Sequence, residues 1–116
     1  MGMRGATVRF RLAGKDRIGV VIEVRPDLVH VAYGTSEPHD DWPQVVVRPE
    51  TRQGRALVLR EVTYFYGANT SWERPRDMQF GKTPCTKELL YAIIELVVNY
   101  HAQSGDESFA SDEPAG

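Results

Sequence analysis

Three side chains in this sequence are of the types, and in the places, that can act on a phosphodiester: Arg17, Thr35 and Ser36. The stretch Val31-Ala32-Tyr33-Gly34-Thr35-Ser36 runs out of a β-branched segment into two hydroxyl residues, and Gly34 before them lets a ligand approach the backbone closely. The same six residues also read as a strand closed by an ordinary Gly-Thr-Ser turn. Arg17 follows the turn formers Ala13-Gly14-Lys15-Asp16 and opens an apolar run, so its side chain is expected at a rim rather than inside. The next turn, at Pro26-Asp27, lies at the far end of that run. Antiparallel pairing across it brings Arg17 to the end at which the following strand finishes, beside Thr35 and Ser36. A guanidinium next to hydroxyls and free backbone N–H groups is a plausible oxyanion site.

The elements that must hold these residues are strands. Over residues 6–12, Val8, Phe10 and Leu12 alternate with Thr7, Arg9 and Arg11. Residues 17–25 contain Val20, Val21, Ile22 and Val24, a run suited to a strand buried on both faces. Residues 28–33 return as a third strand, which completes a meander of the kind that begins small barrels. A polar loop over 34–43 leads to a short strand at 44–48. After a turn at 51–54, residues 55–66 read as one long strand or two with a bend. Residues 67–84 read as irregular, and a loop of that length often serves a function.

Residues 86–103 are expected to form a helix, with Thr86 as the cap and Pro84 marking the boundary. Leu89, Ile93, Leu96, Val97 and Tyr100 make one apolar stripe; Leu90, Ile94 and Val98 make a second. Covering one side of a barrel needs one stripe, so either the helix is deeply buried or its second stripe meets another subunit, and in so small a domain the subunit is the favoured reading. The expected organisation is one mostly β domain with a C-terminal helix over residues 1–103, followed by a disordered acidic tail over 104–116.

The chain has 116 residues, 41% apolar and 26% charged, which is the make-up of a soluble globular domain with one modest core. No apolar run is long enough to span a membrane, and no secretory signal precedes the first strand. The single cysteine, Cys85, fits a reducing compartment, and together these features predict a cytoplasmic protein. Net charge is −2, but Asp106, Glu107, Asp112 and Glu113 all lie in the tail; with those four set aside, 14 basic residues face 12 acidic ones. Most of the basic residues are arginine, whose planar fork suits phosphate. His30, His39 and His101 are far apart and no Cys or His pair has ligand spacing, so no metal site is expected. No phosphate loop or nucleophile elbow is present either, and no cofactor is expected.

Two motifs carry a resemblance to a known family. The third strand ends Ala32-Tyr33-Gly34-Thr35-Ser36, and Phe80-Gly81-Lys82-Thr83-Pro84 precedes the helix. Both are similar to stretches in one branch of the PemK/MazF toxins, and the similarity covers roughly residues 5–100. The resemblance implies an SH3-like barrel and a metal-independent endoribonuclease acting on single-stranded RNA. It also implies a homodimer, and an antitoxin protein whose extended segment occupies the RNA groove. Carried over, Arg17 and Thr35 are the catalytic pair with Ser36 their neighbour, and the RNA 2′-hydroxyl attacks the adjacent phosphate. Candidate substrate contacts are Lys15 and Gly34 near the pair, and Trp72, Arg74, Arg76 and Lys82 in the long loop. The sequence departs from the family pattern in its short 13–16 turn and in Ile18, where relatives carry proline after the arginine. The rival reading is a non-catalytic barrel that holds a peptide or nucleic acid with the same loops.

Overall fold

The alternation of Val8 and Phe10 with Arg9 and Arg11 does produce the first strand. In the computed structural model, which describes residues 4–39 and 41–104, β1 is Thr7–Leu12 and β2 is Lys15–Val24. They are joined by Ala13 and Gly14 at φ 54° and 81°, and Leu12 pairs with Lys15. Two consecutive positive φ values make this a tight two-residue hairpin turn, so Lys15 and Asp16 belong to the strand and not to the turn. β3 (Val29–Thr35) runs back along β2, with Gly19 opposite Tyr33 and Val24 opposite Val29. β4 (Gln44–Val47) follows the polar loop.

The segment after β4 differs from the reading of its sequence. Residues 51–54 are not a turn and 55–62 are not strand: Arg52–Leu57 form a short helix, α1. Thr51 caps it, its Oγ1 accepting from Gly54 N at 3.0 Å. The flanking residues Arg52, Gln53, Arg55, Ala56 and Leu57 are strong helix formers, but one and a half turns are too few to show a period. β5 then runs Thr63–Glu73, through most of what reads as the first half of an irregular loop. A single 3-10 turn at Pro75–Asp77 and the two-residue β6 (Gln79–Phe80) complete that stretch. α2 is Lys87–Ser104. The helix thus takes in residue 104, where the tail is expected to start, and the rest of that expected tail lies outside the described residues.

The six strands form one antiparallel sheet in the order β4-β5-β3-β2-β1-β6, giving a small barrel-like α+β fold. β5 changes neighbours along its length. Its first part pairs with all of β4 and with Gly34 and Thr35; its last part, Thr70 to Glu73, pairs with Ala32 to Val29. The excess residues between the two parts bend the strand at Gly67. A β-carbon there would sit 2.6 Å from the Leu96 carbonyl oxygen and would also strike Tyr100, so β5 lies with its backbone directly on α2.

The core has two parts, one on each face of the sheet. Val20, Ile22, Ala32, Phe65, Leu89, Ile93 and Val97 pack between sheet and helix. Val8, Phe10, Val21, Val29, Val31 and Met78 fill the inner face. The β-branched run of β2 thus feeds both, as its lack of alternation requires. On α2, Leu90 and Ile94 also pack against the first cluster, so most of the second stripe is used within the domain, while Tyr91, Val98 and Tyr100 stay exposed. Among the described residues no helix is long and apolar enough to cross a membrane.

Thr86 caps α2: its Oγ1 accepts from Leu89 N at 3.2 Å. Thr86→Ala is expected to cost about 1 kcal/mol, read as a lower midpoint in urea with unchanged slope.

Candidate functional site

Two residues past the Gly19–Tyr33 pair, on each strand, stand Arg17 and Thr35. The β2–β3 pairing therefore brings them to one end of the sheet, as the position of the Pro26-Asp27 turn requires. There a cleft of about 520 Å³ opens, lined by Arg17, Gly34, Thr35 and Ser36, with Lys15 at its edge. Gly34 is needed at this point because a β-carbon would collide with Thr63 Cγ2 and lie 3.3 Å from the Phe65 ring.

Each polar group of the pair is held and yet left available. The Arg17 guanidinium carbon lies 5.0 Å from the centre of the Tyr33 ring. Its Nε is buried with no hydrogen-bond partner among the described residues. The Thr35 hydroxyl accepts from Glu37 N at 3.2 Å, a short local turn that leaves its own proton free to donate. The loop carrying Ser36 and Glu37 is tied down further on, where Tyr66 Oη accepts from His39 N and donates to Gln44 Oε1 at 2.8 Å. Trp42 and His39 stack above that anchor, ring centres 4.4 Å apart.

The remaining sequence candidates are elsewhere. Trp72 pairs with His30 at the opposite end of β3, five residues from Thr35, or roughly 16 Å along the strand. It is stacked on His30 at 4.4 Å and lies 4.8 Å from the Arg25 guanidinium, so its ring is already engaged. Arg74 caps the 3-10 turn and Arg76 lies within it, and neither lines the cleft. Residues around them, Glu73, Asp77 and Gln79, border a second hollow of about 630 Å³ that shares Arg9, Asp16 and Arg17 with the first. Lys82 is exposed in the connection from β6 to α2, also outside the cleft.

The cleft in turn contains residues that the sequence did not single out: Arg9, Glu37, Arg60, Glu61 and Thr63. Arg9 had a signal, since the Thr7-Arg9-Arg11 alternation puts it on the exposed face of β1. Arg60 and Glu61 have none, because α1 carries them to the cleft and its residues read in the sequence as a turn followed by a strand. Of the acidic side chains present, Asp16 is paired with Arg11 at 2.8 Å. Among the described residues no group of three or more His, Cys, Asp or Glu is arranged to hold a metal ion.

Cys85 is distant from this chemistry and suited to packing. Burial pushes its thiol up to about 11, against a smaller opposing pull from a backbone hydrogen bond. In the unfolded chain the thiol ionises at its ordinary, lower value, so the unfolded state is favoured as pH rises between the two. Stability is therefore expected to fall as pH rises across that interval. Cys85→Ala should remove that part of the slope, read by comparing the urea midpoints of both proteins from pH 8 to pH 11.

No protein-family model matches the sequence, and no curated protein matches it.

Proposed function

We propose that this protein is a metal-independent endoribonuclease of the PemK/MazF type that cuts single-stranded RNA, with Arg17 and Thr35 as its reactive pair. The observation that carries this reading is the state of Arg17: a guanidinium at the wall of a polar cleft, its buried Nε unpaired, beside a hydroxyl with a free proton. A phosphodiester offers the acceptor oxygens that both groups lack.

In the proposed reaction the RNA 2′-oxygen attacks the adjacent phosphorus and the bond to the 5′-oxygen breaks. The 2′-hydroxyl loses a proton and the leaving 5′-oxygen gains one, leaving a 2′,3′-cyclic phosphate and a 5′-hydroxyl. Arg17 stabilises the charge that develops on the phosphoryl oxygens, because a guanidinium is too basic to serve as a ready base. Thr35 donates to a phosphate oxygen, and Ser36 lines the same wall. The sequence resemblance supports a homodimer and a protein antitoxin as partners; the exposed Tyr91, Val98 and Tyr100 on α2 are the apolar surface available to a second copy.

The test is incubation of the purified protein with mixed-sequence single-stranded RNA in EDTA. New 2′,3′-cyclic phosphate ends support the reading. Intact RNA with folded protein sinks it and favours a non-catalytic barrel.

A further inference from the structure

The α1–β5 connection brings Val58, Leu59, Arg60 and Glu61 to the cleft, and Arg60 is the one cation among them. Gly54 lies so close to the Arg48 carbonyl that no other residue fits, a β-carbon falling 2.8 Å from Pro49 Cα as well. Leu57 is buried in the core. Val58 ends the helix in the left-handed region at φ 56°, an unfavourable conformation for a β-branched residue that the surroundings must hold in place. What holds it from outside is Arg9, whose Nη2 donates to Val58 O at 2.9 Å and to Leu57 O at 3.4 Å. Leu59 N closes the turn onto Gly54 O at 3.0 Å. The next residue is Arg60, exposed and without a hydrogen bond or ion pair among the described residues, and it lines the cleft with Arg17 and Lys15.

We propose that Arg60 is a second phosphate-binding guanidinium of the cleft, taking a phosphate that neighbours the one held by Arg17, and that Arg9 is its positioning residue. The assignment rests on the reading of the cleft as a site for single-stranded nucleic acid. It does not need cleavage. The turn seats Leu57 and Leu59 against the core, and the residue that follows them, Arg60, is left exposed at the cleft without a hydrogen bond or ion pair among the described residues. One strand of nucleic acid passing Arg17 offers a regular series of phosphates, and Arg60, which lines the same cleft, is the cation offered to the next one.

The experiment measures binding of a short, labelled, mixed-sequence 2′-deoxy oligonucleotide, which cannot react through a 2′-hydroxyl, over a range of salt concentrations. Arg60→Gln is expected to make the plot of log affinity against log salt shallower by roughly 0.7, the loss of one phosphate contact on a single strand. Arg60→Lys should keep the slope. Arg9→Gln should lose the same increment, and the Arg9→Gln/Arg60→Gln pair should lose no more than either alone. Thermal unfolding of the Arg60 variants should match that of the parent protein. An unchanged slope in Arg60→Gln overturns the assignment. Additive losses in the double variant overturn the positioning role, because Arg9 would then be meeting a phosphate itself. Equal displacement of the oligonucleotide by poly-glutamate of matched charge would reduce the cleft to a general anion patch and also overturn it. Intact RNA in the cleavage assay would remove the nuclease reading and leave this slope test standing.

Discussion

Arg17→Ala is expected to lower RNA cleavage by about 10²–10³-fold, the range found when one preorganised donor to a developing oxyanion is removed. The fold should survive the change for a specific reason. Arg17 contributes a cation–π contact with Tyr33, at most about 1 kcal/mol at a partly exposed position. Against that, truncation removes a buried Nε that has no partner and whose burial is unfavourable. The two effects oppose each other, so the urea midpoint should move little while the rate collapses. Arg17→Lys keeps the charge and loses the fork, and should recover only part of the activity. Single-turnover cleavage of a labelled RNA, with circular dichroism on the same samples, separates the outcomes. Parental rates in Arg17→Ala would place the reactive centre elsewhere.

The largest effect on stability is expected from Ile93→Ala. Ile93 has no solvent exposure and lies in the cluster between sheet and helix, with Leu89 and Val97 one turn away on either side. Truncation leaves a cavity that the flanking strands cannot close, because Gly67 already holds the β5 backbone against α2. A loss of about 2–5 kcal/mol follows, a large share of the roughly 5–15 kcal/mol that stabilises a domain of this kind. Val98→Ala, on the exposed side of the same helix, should change stability by less than about 0.5 kcal/mol. Equal losses at both positions in urea unfolding would mean that Val98 is covered in solution, as an α2-mediated dimer would require.

Where the sequence was legible, the physical signal was local. Val8 and Phe10 against Arg9 and Arg11 declare a strand through alternation, and Leu89, Ile93 and Val97 declare a helix face through their spacing. The Arg17–Thr35 juxtaposition was readable because a single turn, Pro26-Asp27, fixes which ends of two strands coincide. The misread parts depend on distant partners. Thr70 to Glu73 shows no apolar alternation and comes soon after Gly67, so nothing within it announces a strand; it is one because Val29 to Ala32 pair with it. α1 is too short to show its period, and its apolar Ala56-Leu57-Val58-Leu59 run looks like a strand until Thr51 is recognised as a cap. The same misreading hid Arg60 and Glu61. Trp72 looked like a free stacking surface only because the register that puts it beside His30 is set by the bend at Gly67.

The manner in which β1 is covered has a consequence for the chain as it is made. β1 is the first strand among the described residues, and there its outer edge is closed by the two residues of β6 and by Gly81 N on Thr7 O at 2.8 Å, with Cys85 N on Gly5 O at 3.0 Å just before it. Thr7 Oγ1 adds a bond to Thr83 O, 76 positions away. During synthesis β1, β2 and β3 emerge early and can pair, but the bare N–H and C=O groups of β1 wait for almost the whole domain to follow. An uncovered edge of this kind invites pairing with other chains. The nascent domain is therefore most exposed to aggregation along β1, and it is protected only when the connection before α2 folds back over that strand.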